Sequence, residues 1–145
     1  MKISFVLILI LLVSCTSGIQ MNSVRYDDLL NDGNSKIWLI DKMIIDKSDI
    51  SMRNNWQKEL LIFFENGHVQ YLPVQDLGHK KGNIGDYVLN SNDRKLSLYF
   101  KEGVWEFDLD EITEDSIYMI PTKASDAEFS LHIIPLPEIF FEVNP

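Results

Sequence analysis

The chain has 145 residues, 46% of them hydrophobic and 24% charged, which is the size and composition of one globular domain built on one core. Its 13 Lys and Arg against 22 Asp and Glu leave a net charge of -9; this repels phosphate backbones and anionic head groups and argues against a nucleic-acid partner. The single cysteine, Cys15, excludes an intramolecular disulfide.

In chain order, a short basic start at Met1-Lys2 is followed by an apolar run from Ile3 to Val13 and by the small residues Ser14 and Cys15. That is the order of a signal peptide's n-region, h-region and cleavage zone. Eleven residues of helix reach only about half way across a ~30 Å hydrocarbon core, so residues 1–14 read as a removable leader and not as a permanent span. The run ends in "LVSC" at 12–15, which resembles the lipobox of bacterial lipoproteins. The resemblance implies cleavage before Cys15, a diacylglyceryl group on its sulfur and an acylated new terminus. A thiolate is the nucleophile that such chemistry needs, and two or three acyl chains give a stable membrane anchor where one does not. In lipoproteins an Asp after the cysteine favours inner-membrane retention. Here Thr16 follows, and "TSGIQMNS" lacks the acidic export signal of some Bacteroidetes lipoproteins. The expected address is therefore the outer membrane, facing the periplasm.

Residues 15–34 read as a lipidated tether and a short helix, with Ser23 as N-cap, Asp27 and Asp28 early, and Gly33 as the left-handed stop. From Lys36 the apolar period becomes two. Leu96, Leu98 and Phe100 alternate with Lys95, Ser97 and Tyr99; Trp105, Phe107 and Leu109 alternate with Val104, Glu106 and Asp108; Phe129, Leu131 and Ile133 oppose Ser130 and His132. Turn residues divide about eight strands, at 36–45, 58–65, 68–74, 85–90, 94–101, 104–109, 116–121 and 127–134. Asn66-Gly67 predicts a type I′ hairpin. Sequential antiparallel strands with one apolar face close into an all-β, about eight-stranded up-and-down barrel over residues 35–145, a sandwich or half-open barrel being the alternative. The polar stretches 46–57 and 75–86 are expected as long loops beside it, where binding concentrates.

The stretch "LLNDGNSKIWLIDK" at 29–42, with its tryptophan on the first strand, and Phe63 to Gly67 as a hairpin resemble the small lipocalin-like lipoproteins of Bacteroidetes. "GDYVLNSNDRKLSLYF" and "WEFDLDEITEDSIYMI" continue that family's run of strand, turn and strand. The resemblance covers residues 29–134 and implies the barrel more than any ligand. The apolar tail "PLPEIFFEVNP" is expected to pack across the outside or bottom of the barrel.

Chemistry is sparse. His68, His79 and His132 are the only histidines and have no second metal-type ligand at a recognised spacing. The carboxylates of "EFDLDEITED" lack the loop of an EF-hand. No nucleophile elbow, no P-loop ending and no evident order of Ser, His and acid stands out. No metal, cofactor or catalytic residue is assigned, and the expectation is a binding protein, not an enzyme. Candidate binding residues are Trp38 and Trp105 inside the barrel, Trp56 in the first long loop, and His79, Lys80 and Lys81 in the second. They would hold a small apolar or amphipathic molecule in the barrel mouth. In the alternative, the barrel's own aromatics fill it and the loops or the tail "EIFFEV" dock an envelope protein; an envelope hydrolase ranks last.

Overall fold

The computed structural model describes residues 25–53 and 56–138. The leader, Cys15, the tether with Ser23, and the tail from Ile139 lie outside the described residues.

A helix, α1 (Tyr26–Asn31), precedes nine strands: β1 (Ser35–Ile45), β2 (Ser48–Asp49), β3 (Glu59–Phe64), β4 (His68–Pro73), β5 (Asn83–Asn90), β6 (Lys95–Phe100), β7 (Gly103–Ile112), β8 (Ile117–Pro121) and β9 (Ser130–Pro135). Asp27 and Asp28 occupy the first turn of α1, where carboxylates meet unpaired backbone N–H groups. The left-handed stop comes at Asp32 (φ 53°) as well as at the expected Gly33 (φ 73°).

Eight strands, β1 and β3 to β9, each pair antiparallel with their neighbours in order, and β1 also pairs with β9, so the sheet closes as a lipocalin-like up-and-down barrel; β2 is an extra strand on β1. β1 serves two partners because it is long: residues Ser35 to Leu39 lie against β3 and Trp38 to Ile44 against β9. Closure removes the free edges that an open sheet would present. The expected alternation holds on β6, β7 and β9, where Leu96, Leu98, Phe107, Leu109, Leu131 and Ile133 are buried in one core with Trp38, Phe63 and Met119.

Two local expectations need correction. The 66–67 hairpin is not type I′, since Gly67 takes φ 85° while Asn66 is not left-handed. The Gly67 N–H donates to Phe64 O at 3.0 Å and Asn66 Oδ1 accepts from the His68 N–H at 3.2 Å. The pattern is a type I turn on Glu65 and Asn66 with a left-handed glycine after it. A type I′ pair does occur at Asp46 and Lys47 (φ 50° and 65°), joining Ile45 to Ser48. The stretch 46–57 therefore begins as a hairpin and continues through a 3-10 turn, Ile50–Met52. The second long connection is also shorter than expected, because β5 starts at Asn83.

The barrel has a second apolar layer outside. Leu39, Leu60, Ile62 and Leu72 are buried although their neighbours in sequence fill the interior, and Val74, Leu77, Ile134 and Leu136 pack on them. β1 and β3 are thus apolar on both faces.

Candidate functional site

Side chains gather in a distinct group at each end of the barrel. At the α1 end, Leu30 caps the interior and its carbonyl accepts the Trp38 Nε1–H at 2.9 Å. Asn31 Nδ2 donates to the Tyr87 hydroxyl (3.0 Å), which in turn donates to Phe64 O (2.9 Å), while Phe63 meets the Tyr87 ring edge-on at 5.1 Å. Burial raises the Tyr87 phenol above its ordinary pKa. Lys36 Nζ lies 4.4 Å from the centre of the Trp38 ring.

At the opposite end, Trp105 is the hub of an aromatic ladder, 5.2 Å from Tyr71, 4.9 Å from Phe100 and 5.1 Å from Phe129, all close to edge-on. Such pairs add to what burial alone contributes. Ile50 and Trp56, from the segment after β2, pack against the same core. Burial raises the Glu59 carboxyl above the usual range, and a hydrogen bond from Tyr71 partly offsets this. The Tyr71 phenol is itself pushed up strongly, by burial first and then by Glu59. Phe100 can approach because Gly85 faces it without a side chain: a Cβ there would stand 2.2 Å from Tyr99 O and 2.9 Å from Phe100 Cδ1.

The six residues singled out from sequence fall in separate places. Trp38 is fully buried under α1, and Trp56 and Trp105, both partly buried, stand at the other end. His79 and Lys80 line a groove on the outer wall. Lys81 pairs with Asp76 at 3.4 Å and its carbonyl accepts from Gln70 Nε2 at 2.7 Å. Trp38 and Trp105 therefore sit towards opposite ends of the barrel.

That outer groove, about 410 Å³, is lined by Ile37, Ile62, Phe64, Leu77 and Ile84 beside the two basic residues. A smaller depression of about 250 Å³ shares Phe64, Gln70 and Ile84 with it and adds His68. His68 Nδ1 meets Asp86 Oδ1 at 2.6 Å. A third hollow, about 310 Å³, is polar and lies beside α1, with Arg25, Asp27, Asp28 and Glu65 around it. Sequence reasoning missed the outer groove. Its signal was available: "KIWLI" and "ELLIFF" do not alternate, as a strand buried on both faces does not.

Sequence reasoning also missed a Ser-His-Asp constellation. Ser116 Oγ lies 3.0 Å from His132 Nε2, and His132 Nδ1 lies 3.0 Å from Asp41 Oδ2. The residues are far apart in sequence, and closure of the barrel brings them together. A register shift between Ile40 and Lys42 leaves Asp41 out of the ladder, which is how a bulge re-aims a side chain. The hydrogen-bond order is that of nucleophile, base and orienting acid. The three side chains nevertheless lie on the outer wall at the closing seam, and the three hollows just described are lined by other residues. As placed, they join the start of β8 to β9 and β1. Among the described residues no group of three His, Cys, Asp or Glu could hold a metal ion.

Compared with known proteins, the chain matches no protein-family model, and no curated protein matches it significantly.

Proposed function

We propose that this chain is a lipid-anchored protein of the bacterial cell envelope whose barrel is an interaction module working through its outer surface. The anchor is Cys15, supported by the leader and the lipobox-like "LVSC" at 12–15; the domain then faces the periplasm from the outer membrane. One observation carries the choice of surface over interior. Trp38 is fully buried and its indole N–H is already bonded to Leu30 O, which leaves it no free group for a ligand and supports the surface over the interior. An eight-stranded barrel is narrow enough for its own side chains to fill.

The outward face of β5 and β6 offers the contact. Ile84, Val88 and Tyr99 are 65%, 59% and 46% exposed, large apolar side chains left in water on a strongly acidic chain. Val88 lies opposite Ser97, two residues from Tyr99, which places the two as diagonal neighbours on one face.

The lipoprotein, extracted in mild detergent, is titrated with a fatty acid while its melting is followed. Saturation of an interior site at a hundredfold excess over Kd would add about 2.7 kcal/mol; the expected result is no such stabilisation. In parallel, Val88→Asp with Tyr99→Ser should leave melting unchanged and abolish crosslinks to the envelope partner in intact cells. A ligand-dependent rise in melting temperature that disappears in Trp105→Ala would overturn the reading and restore an interior site.

A further inference from the structure

The outer groove differs in charge from the molecule around it. Among the described residues its lining carries Lys80 and His79 and no carboxylate, on a chain with 22 Asp and Glu against 13 Lys and Arg. The hollow beside α1, by contrast, is lined by Asp27, Asp28 and Glu65. Asp76, the acid closest to Lys80 in sequence, is already engaged by Lys81 at 3.4 Å, so the Lys80 charge is left to the groove.

The turn that carries the two basic residues is pinned on both sides of them. The His79 N–H donates to Asp76 O at 3.0 Å, and the Lys81 carbonyl accepts from Gln70 Nε2 at 2.7 Å. Gly82 then passes so close to β4 that a Cβ there would collide with Tyr71 O and Leu72. A cation held in place before a partner arrives loses less freedom on binding than one on a loose tip.

The floor is apolar with one polar interruption. Ile37 lies opposite Ile62, Ile62 opposite Gln70, and Gln70 opposite Ile84, a row of about 14 Å across four strands. Gln70 uses its amide nitrogen on Lys81 O and keeps Oε1 as an acceptor. An acyl chain lying on this row has nothing to donate to that oxygen, whereas a peptide has its backbone N–H.

We propose that the groove seats an extended segment of a partner protein in which apolar side chains flank a carboxylate. The apolar side chains cover Ile37, Ile62 and Phe64, the carboxylate meets Lys80 and His79, and a backbone N–H meets Gln70. Five extended residues cover about 17 Å, enough to cross the row. The segment binds through these groups and not as an added strand, because β3, β4 and β5 are each paired on both sides. The inference rests on the outer-surface reading and names the partner's chemistry there. Ile84, exposed at the end of the row, is where the groove runs into the patch of Val88 and Tyr99, so one partner covers both.

The test exposes the complete lipoprotein, fluorescently labelled and held in nanodiscs, to an array of acetylated and amidated pentapeptides. Each carries one glutamate, at each position in turn, among leucine, isoleucine, valine and phenylalanine; matching arrays carry glutamine or lysine in its place. The expected result is a set of glutamate peptides whose glutamine counterparts bind about tenfold more weakly, as loss of a charge-assisted hydrogen bond does, and whose lysine counterparts bind less still. Lys80→Glu, at an exposed position and checked for folding by its melting curve, should reverse that order. The same variant should lower the crosslinks to the envelope partner in intact cells several-fold. Peptide binding that is absent, or that ignores Lys80→Glu, would overturn the inference. Displacement of the peptides by dodecanoate would give the groove to a lipid, and binding of the labelled protein to spotted unlabelled protein would give it to a second copy; either overturns it too. If Val88→Asp with Tyr99→Ser abolishes the crosslinks and Lys80→Glu leaves them intact, the outer-surface reading stands and this inference falls; if neither changes them, both fall.

Discussion

The two walls of the barrel bury different numbers of faces. Along β6 and β7, Leu96, Leu98, Phe107 and Leu109 are buried inside, while Tyr99, Asp108 and Asp110 stand in solvent. Along β1 and β3, Leu61 and Phe63 fill the interior, and Leu60 and Ile62 are buried as well, on the outside. The first wall is a boundary between core and water. The second is the partition between two cores, and it needs a roof, which Val74, Leu77 and Leu136 begin to supply. The outer groove opens where the roofed wall gives way to the bare one, at β4 and β5. On the reading proposed above, contact surface follows from that unequal coverage.

If both cores are structural, truncation on either side of β3 should be equally damaging. Leu61→Ala inside and Leu60→Ala outside, both fully buried, should each cost about 2–5 kcal/mol, read as a lower urea midpoint. A loss for Leu60→Ala no larger than for an exposed position would mean that the outer layer is only a covered surface. Gly85→Ala comes next. Its Cβ would meet backbone at Tyr99 O and the Phe100 ring, so the aromatic end must open, at about 1–3 kcal/mol. Trp105 fluorescence should report the disturbance.

Much of this architecture was legible in the sequence, and the parts that were not share a cause. Period two gave β6, β7 and β9 because those strands have a wet face, and turn residues such as those at 90–93 divided them correctly. β1 and β3 were recognised as strands, but their second buried face went unread, since a continuous apolar run does not say which side is covered. The hairpin at Asn66-Gly67 was located and its class mistaken: both classes accept the same residue pair, and strand register decides between them. Of the candidate residues, His79 and Lys80 were placed beside a groove whose floor was invisible, because Ile37, Ile62, Gln70 and Ile84 meet only through pairing across strands. Ser116, His132 and Asp41 were hidden for the same reason.

At the closing seam a smaller effect is expected. If Ser116, His132 and Asp41 are a clip between strands, Ser116→Ala should lower stability by about 1 kcal/mol, the net worth of one hydrogen bond. Hydrolysis of p-nitrophenyl acetate by the protein should be the same before and after the substitution. Turnover that disappears with the Ser116 hydroxyl would make the trio a nucleophilic site and displace the interaction reading.

The smallest effect concerns Glu59 and sharpens the contrast between the barrel's two ends. At the α1 end the packed residues Leu30, Asn31, Trp38 and Tyr87 include no carboxyl; the other end carries a half-buried carboxyl beside Tyr71. Burial raises the Glu59 pKa in the folded state above its value in the unfolded chain, so the folded protein binds the proton more tightly. The resulting stabilisation is complete below the unfolded pKa, near the ordinary glutamate value of 4.5, and is lost as pH rises through the folded one. Most carboxylates that gain a partner on folding show the opposite slope. Glu59→Gln should therefore gain stability over the parent as pH increases from about 4.5 towards neutrality, with the difference vanishing in acid. Tyr71→Phe removes the hydrogen bond that favours the charged form, so it should move the transition to higher pH. Urea midpoints measured across that range for the three proteins decide it: a parent and Glu59→Gln that run parallel at every pH would mean that Glu59 is as well hydrated when folded as when unfolded, and that this end of the barrel is open to water.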